Sequence, residues 1–139
     1  MSGITDLDSL LASMAPTLVP GQFAFVSVCG SGDLDALDPI CVFREAEATS
    51  VICSSALAER AGLKTEGVYR QITLQVHSSL GAVGFIAAVA SALAAAGIPC
   101  NAVSANYHDH IFVPEEKVVR AMEVLLSLAR TKREPSQSP

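Results

Sequence analysis

The hydrophobic repeat of this chain changes period just after His77, and that change limits the folds open to it. From Arg70 to His77 the apolar residues Ile72, Leu74 and Val76 alternate with Gln71, Thr73, Gln75 and His77, the two-residue period of a strand with one buried face. After Ser78 and Ser79 the apolar residues Val83, Ile86, Ala87, Ala90, Leu93 and Ala94 recur at steps of three and four. On so Ala-rich a background that spacing predicts a helix over about 82–96. Ser79 is placed to cap the helix, and Gly97-Ile98-Pro99 to stop it, since Gly takes the left-handed conformation and Pro cannot extend a helix. A second strand is expected from Cys100 to Tyr107. The polar residues Tyr107, His108, Asp109 and His110 then turn the chain into a third strand, Ile111 to Val113. Pro114, Glu115 and Glu116 open a last helix whose acidic first turn suits the helix dipole. The order is β-α-β-β-α.

Handedness turns this order into a site. A strand-helix-strand crossover is right-handed and leaves its strands parallel, so strands 70–77 and 100–107 end at one edge of the sheet. If strand 110–113 pairs antiparallel with strand 70–77, as in a split β-α-β arrangement, His77, His108 and His110 all fall at that edge. The helix N-terminus falls there too. Its free N–H groups, with the small residues Ser79, Gly81, Ala82 and Gly84 around them, suit a carboxylate, while Asp109 suits an ammonium or guanidinium. A free amino acid carries both charges.

The N-terminal half reads as a second, shortened unit. Asp6 to Met14 predicts an amphipathic helix with Leu7, Leu10, Leu11 and Met14 on one stripe, stopped by Pro16. Gln22 to Val28 predicts a strand. The run GSGDLDALDP from Gly30 to Pro39 predicts a loop where a full unit would hold a helix. Ile40 to Arg44 and Ser50 to Cys53 then form a hairpin, and Ser54 to Ala61 a helix closed by Gly62. The hairpin and helix echo those of Cys100 to Leu128, and strand 70–77 joins the halves.

The residues also carry a family resemblance. VHSSLxAVGxxAAVxxALAxAGIxCN followed by YHDHIFVPEE resembles a bacterial family of small proteins built from two ACT-type units, most without an assigned function. LxxLLxxMxPxLxPGxFxF and VFREAEATSVICSSALAERAGL resemble the start of the same family, so the resemblance reaches from the N-terminus to about Leu128. It implies an α+β fold of ferredoxin-like ACT units, with two halves sharing antiparallel sheets and helices packed on one face. The expected boundaries are 1–66 for the truncated N-terminal half, 67–130 for the C-terminal unit and 131–139 for a disordered tail. The family is distantly similar to the ACT regulatory units of aspartate kinases and of a cytosolic arginine sensor. Such units bind amino acids and other small ligands, typically at interfaces between units, and regulate metabolic enzymes. Their ligand contacts map here to Ser78, Ser79, Ala82, Val83 and Gly84; Asn101, His108, Asp109 and His110 complete the expected set. Ala46 and Ala48 stand where the family pattern has Lys and Gly, a departure that weighs against a ligand role for the first hairpin.

Composition narrows the remaining classes. Half of the 139 residues are hydrophobic and 17% are charged, an apolar balance that points to surface buried against a second copy. A net charge of −5 argues against binding a nucleic-acid backbone, which needs clustered Lys and Arg. The uncharged run Gly81 to Cys100 is Ala- and Gly-rich, is broken by Gly97 and Pro99, and lacks a basic belt, so it reads as no membrane span. Without a signal segment, and with Cys29, Cys41, Cys53 and Cys100 at no CxxC spacing and reading as buried reduced thiols, the chain is expected in the cytoplasm.

Several motifs have ordinary readings. Gly30 and Gly32 follow a strand as a dinucleotide loop does, but no helix with a third Gly follows, and Asp33, Asp35 and Asp38 lack the Gly and Glu of a calcium loop. Arg44, Glu45 and Glu47 form either a ligand clamp or an exposed ion pair. On the last helix Val118, Val119, Met122, Leu125, Leu126 and Ala129 form the packing stripe. His108 and His110 share a face if extended; Asp109 orients them, they touch the ligand, or with His77 they hold a metal. No Ser-His-Asp or Cys-His arrangement points to a nucleophile, and no cofactor is called for. The leading expectation is a non-catalytic regulatory protein, forming a homodimer, that binds an amino acid or similar small metabolite. The alternatives are an interaction or dimerisation domain and a metal-dependent enzyme using His77, His108 and His110.

Overall fold

The computed structural model describes residues 6–29 and 34–134. They form two compact units that do not follow chain order: one comprises Pro20–Arg70, and the other joins the segment up to Val19 to the segment from Gln71 onward. We call these the continuous and the discontinuous unit.

The discontinuous unit begins with helix α1, Leu7–Ser13, capped by Asp6, whose carboxylate accepts from the Ser9 amide at 2.9 Å. Pro16 does not merely stop this helix. It lies in strand β1, Ala15–Leu18, antiparallel to strand β5, Tyr69–Gln75, with Pro16 opposite Leu74 and Leu18 opposite Ile72. Within the unit the strand order is β1-β5-β7-β6, where β6 is Asn101–Ser104 and β7 is Asp109–Pro114. β1 is thus a flank of that sheet, where proline's missing N–H is tolerated. Helix α3 spans Phe85–Ala95, and after a short 3-10 turn helix α4 spans Val118–Arg133. Leu10, Leu11 and Met14 of the N-terminal segment join Ile72, Leu74, Val89, Leu93 and Leu125 in one buried cluster. Burial of each such side chain contributes about 1.5–3 kcal/mol, which ties α1 and its C-cap Met14 to residues from 72 onward.

Helical phase differs from the sequence expectation in two places. On α3 the buried residues are Phe85, Val89 and Leu93, and Val83 precedes the helix at 83% exposure. On α4 they are Val118, Ala121, Leu125 and Ala129, while Val119 and Leu126 are exposed. The helix also runs through 131–133, where a tail was expected, with Arg130, Lys132 and Arg133 in its last turn complementing the dipole. Lys132 reaches Asp8 at 3.4 Å. Residues 135–139 of the expected tail lie outside the described residues.

In the continuous unit, strands β2, Phe23–Val28, β3, Cys41–Arg44, and β4, Thr49–Ser54, form an antiparallel sheet with order β3-β4-β2. Tyr69 pairs with Phe23 at the start of β5. Ala24, Val26, Val51 and Cys53 form its core with Leu37 and Ala58. Helix α2, Ser55–Arg60, is capped by Ser54, whose hydroxyl accepts from the Leu57 amide at 3.1 Å. Where a crossover helix would stand, Asp35–Leu37 make one 3-10 turn, ending at Asp38 with φ +44°. Gly30, Gly32 and Asp33 of the loop motifs lie outside the described residues. All four cysteines are free; Cys53 is buried, as expected of a thiol acting as a small hydrophobe, whereas Cys29 is exposed and Cys41 and Cys100 are half-buried.

Candidate functional site

The helix expected from residue 82 starts at Phe85. Gly84 is its N-cap, with φ +94° and no side-chain cap, so Ser79 does not cap α3. Ser79 instead accepts from the Gly81 amide at 3.1 Å, closing a local turn. Delaying the helix leaves residues 76–84 as a loop that folds over the end of β5. The loop, the first turn of α3 and the β6–β7 hairpin enclose a partly open cavity of about 220 Å³. Ser78, Ser79, Ala82, Gly84 and Asp109 line it, as does Ser104, which lies directly across the hairpin from Asp109.

Asp109 gives the cavity its charge. It is 6% exposed, one of few buried polar residues, and it accepts a hydrogen bond from the Ser78 hydroxyl at 3.0 Å. Phe85, Ile86 and Ala87 also line the cavity. Amides in the first turn of a helix have no partner within that helix. A buried carboxylate and a helix N-terminus therefore face one small space, whose walls combine the small residues Ser78, Ser79, Ala82, Gly84 and Ser104 with the apolar Leu80, Phe85 and Ile86.

The histidines do something else. Successive residues of a strand point to opposite faces, so with Asp109 on the core side His110 turns away from it. His110 Nδ1 is 2.9 Å from Thr73 Oγ1 and 3.3 Å from Gln71 Nε2. These two contacts fasten the His110 ring to the polar side chains of β5. Burial, reinforced by the positive charge of His108 and opposed by Asp109, holds His110 below the ordinary histidine pKa. The His108 and His110 rings are 6.4 Å apart, and His77 packs against Tyr107 with ring centroids 5.8 Å apart. Among the described residues no three His, Cys, Asp or Glu side chains gather as a metal site.

Two family models match the sequence, each an ACT domain, over residues 2–70 and 66–127. The chain belongs to the ACT-domain family. Among solved structures, a protein of unknown function from Vibrio cholerae, described as a possible transport protein, shares 42% identity with this ACT-domain protein. That match covers 92% of this chain and 99% of the other, with a TM-score of 0.80. The ligand-free regulatory subunit of aspartate kinase from Thermus thermophilus is 9% identical, with a TM-score of 0.63 over 84% of this chain and 96% of that one. At that identity the likeness is one of fold. No curated protein matches the sequence.

The ACT-domain fold follows from the elements already described. β5-α3-β6-β7-α4 is the ferredoxin-like order, and β1 supplies the remaining strand of the discontinuous unit. Of the residues expected at the site, Ser78, Ser79, Ala82, Gly84 and Asp109 share the cavity. Val83, Asn101, His108 and His110 do not line it: Val83 is exposed, and Asn101 donates to the Phe112 carbonyl at 3.4 Å. Leu80, Phe85, Ile86, Ala87 and Ser104 were missed. The hairpin register would have found Ser104, since only a tight turn over 105–108 sets it opposite Asp109. No helix among the described residues is long and apolar enough to cross a membrane.

Proposed function

We propose that this ACT-domain protein is a regulatory, non-catalytic binder of an amino acid or a similarly small zwitterion, held in the cavity at the start of α3. The observation that carries this reading is the pairing of one buried carboxylate with one helix N-terminus in a space of about 220 Å³. The ligand carboxylate takes the amides of the first turn of α3, where the helix dipole favours negative charge. Its ammonium takes Asp109, with Ser78 and Ser104 as further polar partners. The cavity is smaller than the ~300–1,000 Å³ typical of drug-sized ligands, which fits a single amino acid. Membership in a family of typically regulatory modules supports the same reading.

The protein works in the cytoplasm as a homodimer. Phe43, Leu80, Val83 and Val119 are all more than two-thirds exposed, at 69%, 72%, 83% and 72%, and such apolar surface favours contact with a second copy.

A thermal-shift screen of chelator-treated protein against the common amino acids and divalent metals tests the binding reading. A ligand present at about a hundred times its dissociation constant adds about 2.7 kcal/mol, a rise of several degrees in Tm. The expected result is a selective shift with one amino acid that disappears in Asp109→Ala. No binding below millimolar concentration, with Asp109→Ala indistinguishable from the parent, would overturn it. A shift with metal alone would return the histidines to consideration as ligands.

A further inference from the structure

The continuous unit contains a cavity of about 400 Å³ lined by Phe25, Ser27, Lys64, Glu66 and Tyr69. Its floor follows from the alternation of β2. Ala24, Val26 and Val28 enter the core, so Phe25 and Ser27 project from the opposite face of that sheet. The Tyr69 ring meets Phe25 edge to face, with centroids 5.0 Å apart and planes at 73°, a favoured arrangement of two aromatic quadrupoles. The rim is charged. Lys64 and Glu66 come from the segment between α2 and β5, and both are exposed. Neither forms an ion pair or hydrogen bond among the described residues, with the other or with any third group. Opposite charges two residues apart, left unpaired over an aromatic floor, are arranged for a molecule that brings both charges and a ring.

We infer that this cavity is a second small-ligand site, for a planar ring bearing a carboxylate and an amino group. The ring lies on Tyr69 and Phe25, the carboxylate meets the Lys64 ammonium, the amino group meets Glu66, and the Ser27 hydroxyl fixes orientation. The size falls within the ~300–1,000 Å³ of sites for ligands larger than a short amino acid. The site shares no lining residue with the Asp109 cavity, so it stands or fails independently of it.

Saturation-transfer NMR on the full chain, with L-phenylalanine, phenylacetate, phenethylamine and L-alanine as probes, separates the contributions. In the Asp109→Ala protein, where the other cavity lacks its carboxylate, L-phenylalanine is expected to show transfer to its ring protons and L-alanine none. Phenylacetate binds more weakly and ignores Glu66→Gln, and phenethylamine ignores Lys64→Met. For L-phenylalanine each single variant raises Kd about two- to fivefold and the double variant about tenfold, while Asp109→Ala changes nothing. Lys64 and Glu66 are exposed, so these variants keep the fold, as circular dichroism will verify. The inference is overturned by no transfer from L-phenylalanine at about 10 mM, by an equal response from L-alanine in the Asp109→Ala protein, by a double variant with unchanged Kd, or by L-phenylalanine binding lost in Asp109→Ala.

Discussion

Asp109 is held by two contacts of different kinds: the Ser78 hydroxyl at 3.0 Å, and a backbone register that sets it opposite Ser104. Removing the hydroxyl leaves a buried carboxylate with one donor fewer. Ser78→Ala should therefore cost about 1–3 kcal/mol, read as a lower urea midpoint at pH 7. Gly84 matters through its backbone. At φ +94° an added Cβ is strained and would also stand 3.3 Å from Leu7 Cδ2. Gly84→Ala should lose about 1–2 kcal/mol and shift the amide resonances of the first turn of α3, whereas unchanged resonances would mean that the helix start tolerates a side chain. His110 sets a pH dependence. Its folded pKa is lowered by burial, so the unfolded chain takes up a proton first on acidification. The stability tied to neutral His110 is then full above about pH 6.5 and is lost as pH falls from there through the lower folded value. His110→Gln should flatten that part of the stability curve, measured by urea unfolding at a series of pH values. An equally steep fall in the variant would assign the dependence to other groups.

Helices and strands were legible where one residue type marked one face. The alternation Ile72, Leu74, Val76 marked β5, and Gly62, with φ +72°, closes α2 where the sequence placed it. α3 was harder, because its many alanines satisfy several helical phases equally. Only packing selects the one that buries Phe85, Val89 and Leu93. The same ambiguity moved the expected helix start from 85 to 82, whereas Val83 entered the expected site through the family resemblance. Two substitutions check the phase: Leu93→Ala should cost about 2–5 kcal/mol, and Val83→Ala should stay within about 0.5 kcal/mol of the parent. Comparable losses would contradict the burial pattern. β1 was invisible for another reason. Pro16 after a helix is an ordinary stop signal, and nothing local reveals that Leu74, more than fifty residues away, pairs with it. The charged part of the candidate site was legible because Asp109 is flanked by polar residues in an apolar strand. Ser104 was not, because its role depends on a hairpin register that the sequence leaves open.

The whole molecule is two units with unequal cores. The discontinuous unit buries Leu10, Leu11, Met14, Ile72, Leu74, Leu93, Ile111 and Leu125 together, whereas the cluster of the continuous unit is smaller and built mostly of Ala and Val. Local opening follows buried apolar contact. Native-state hydrogen exchange should therefore show amides of β2 and β4 exchanging before those of β5 and β7 as denaturant rises, and a single common opening energy would show that the units unfold as one. The split of one unit across the chain also shapes its biosynthesis. α1 and β1 are made before β5, α3 and α4, which cover them. Residues 20–70 can close on themselves in the interval, as domains do during translation. Leu10, Leu11 and Met14 therefore stay without the partners that bury them until the segment from β5 onward has been made.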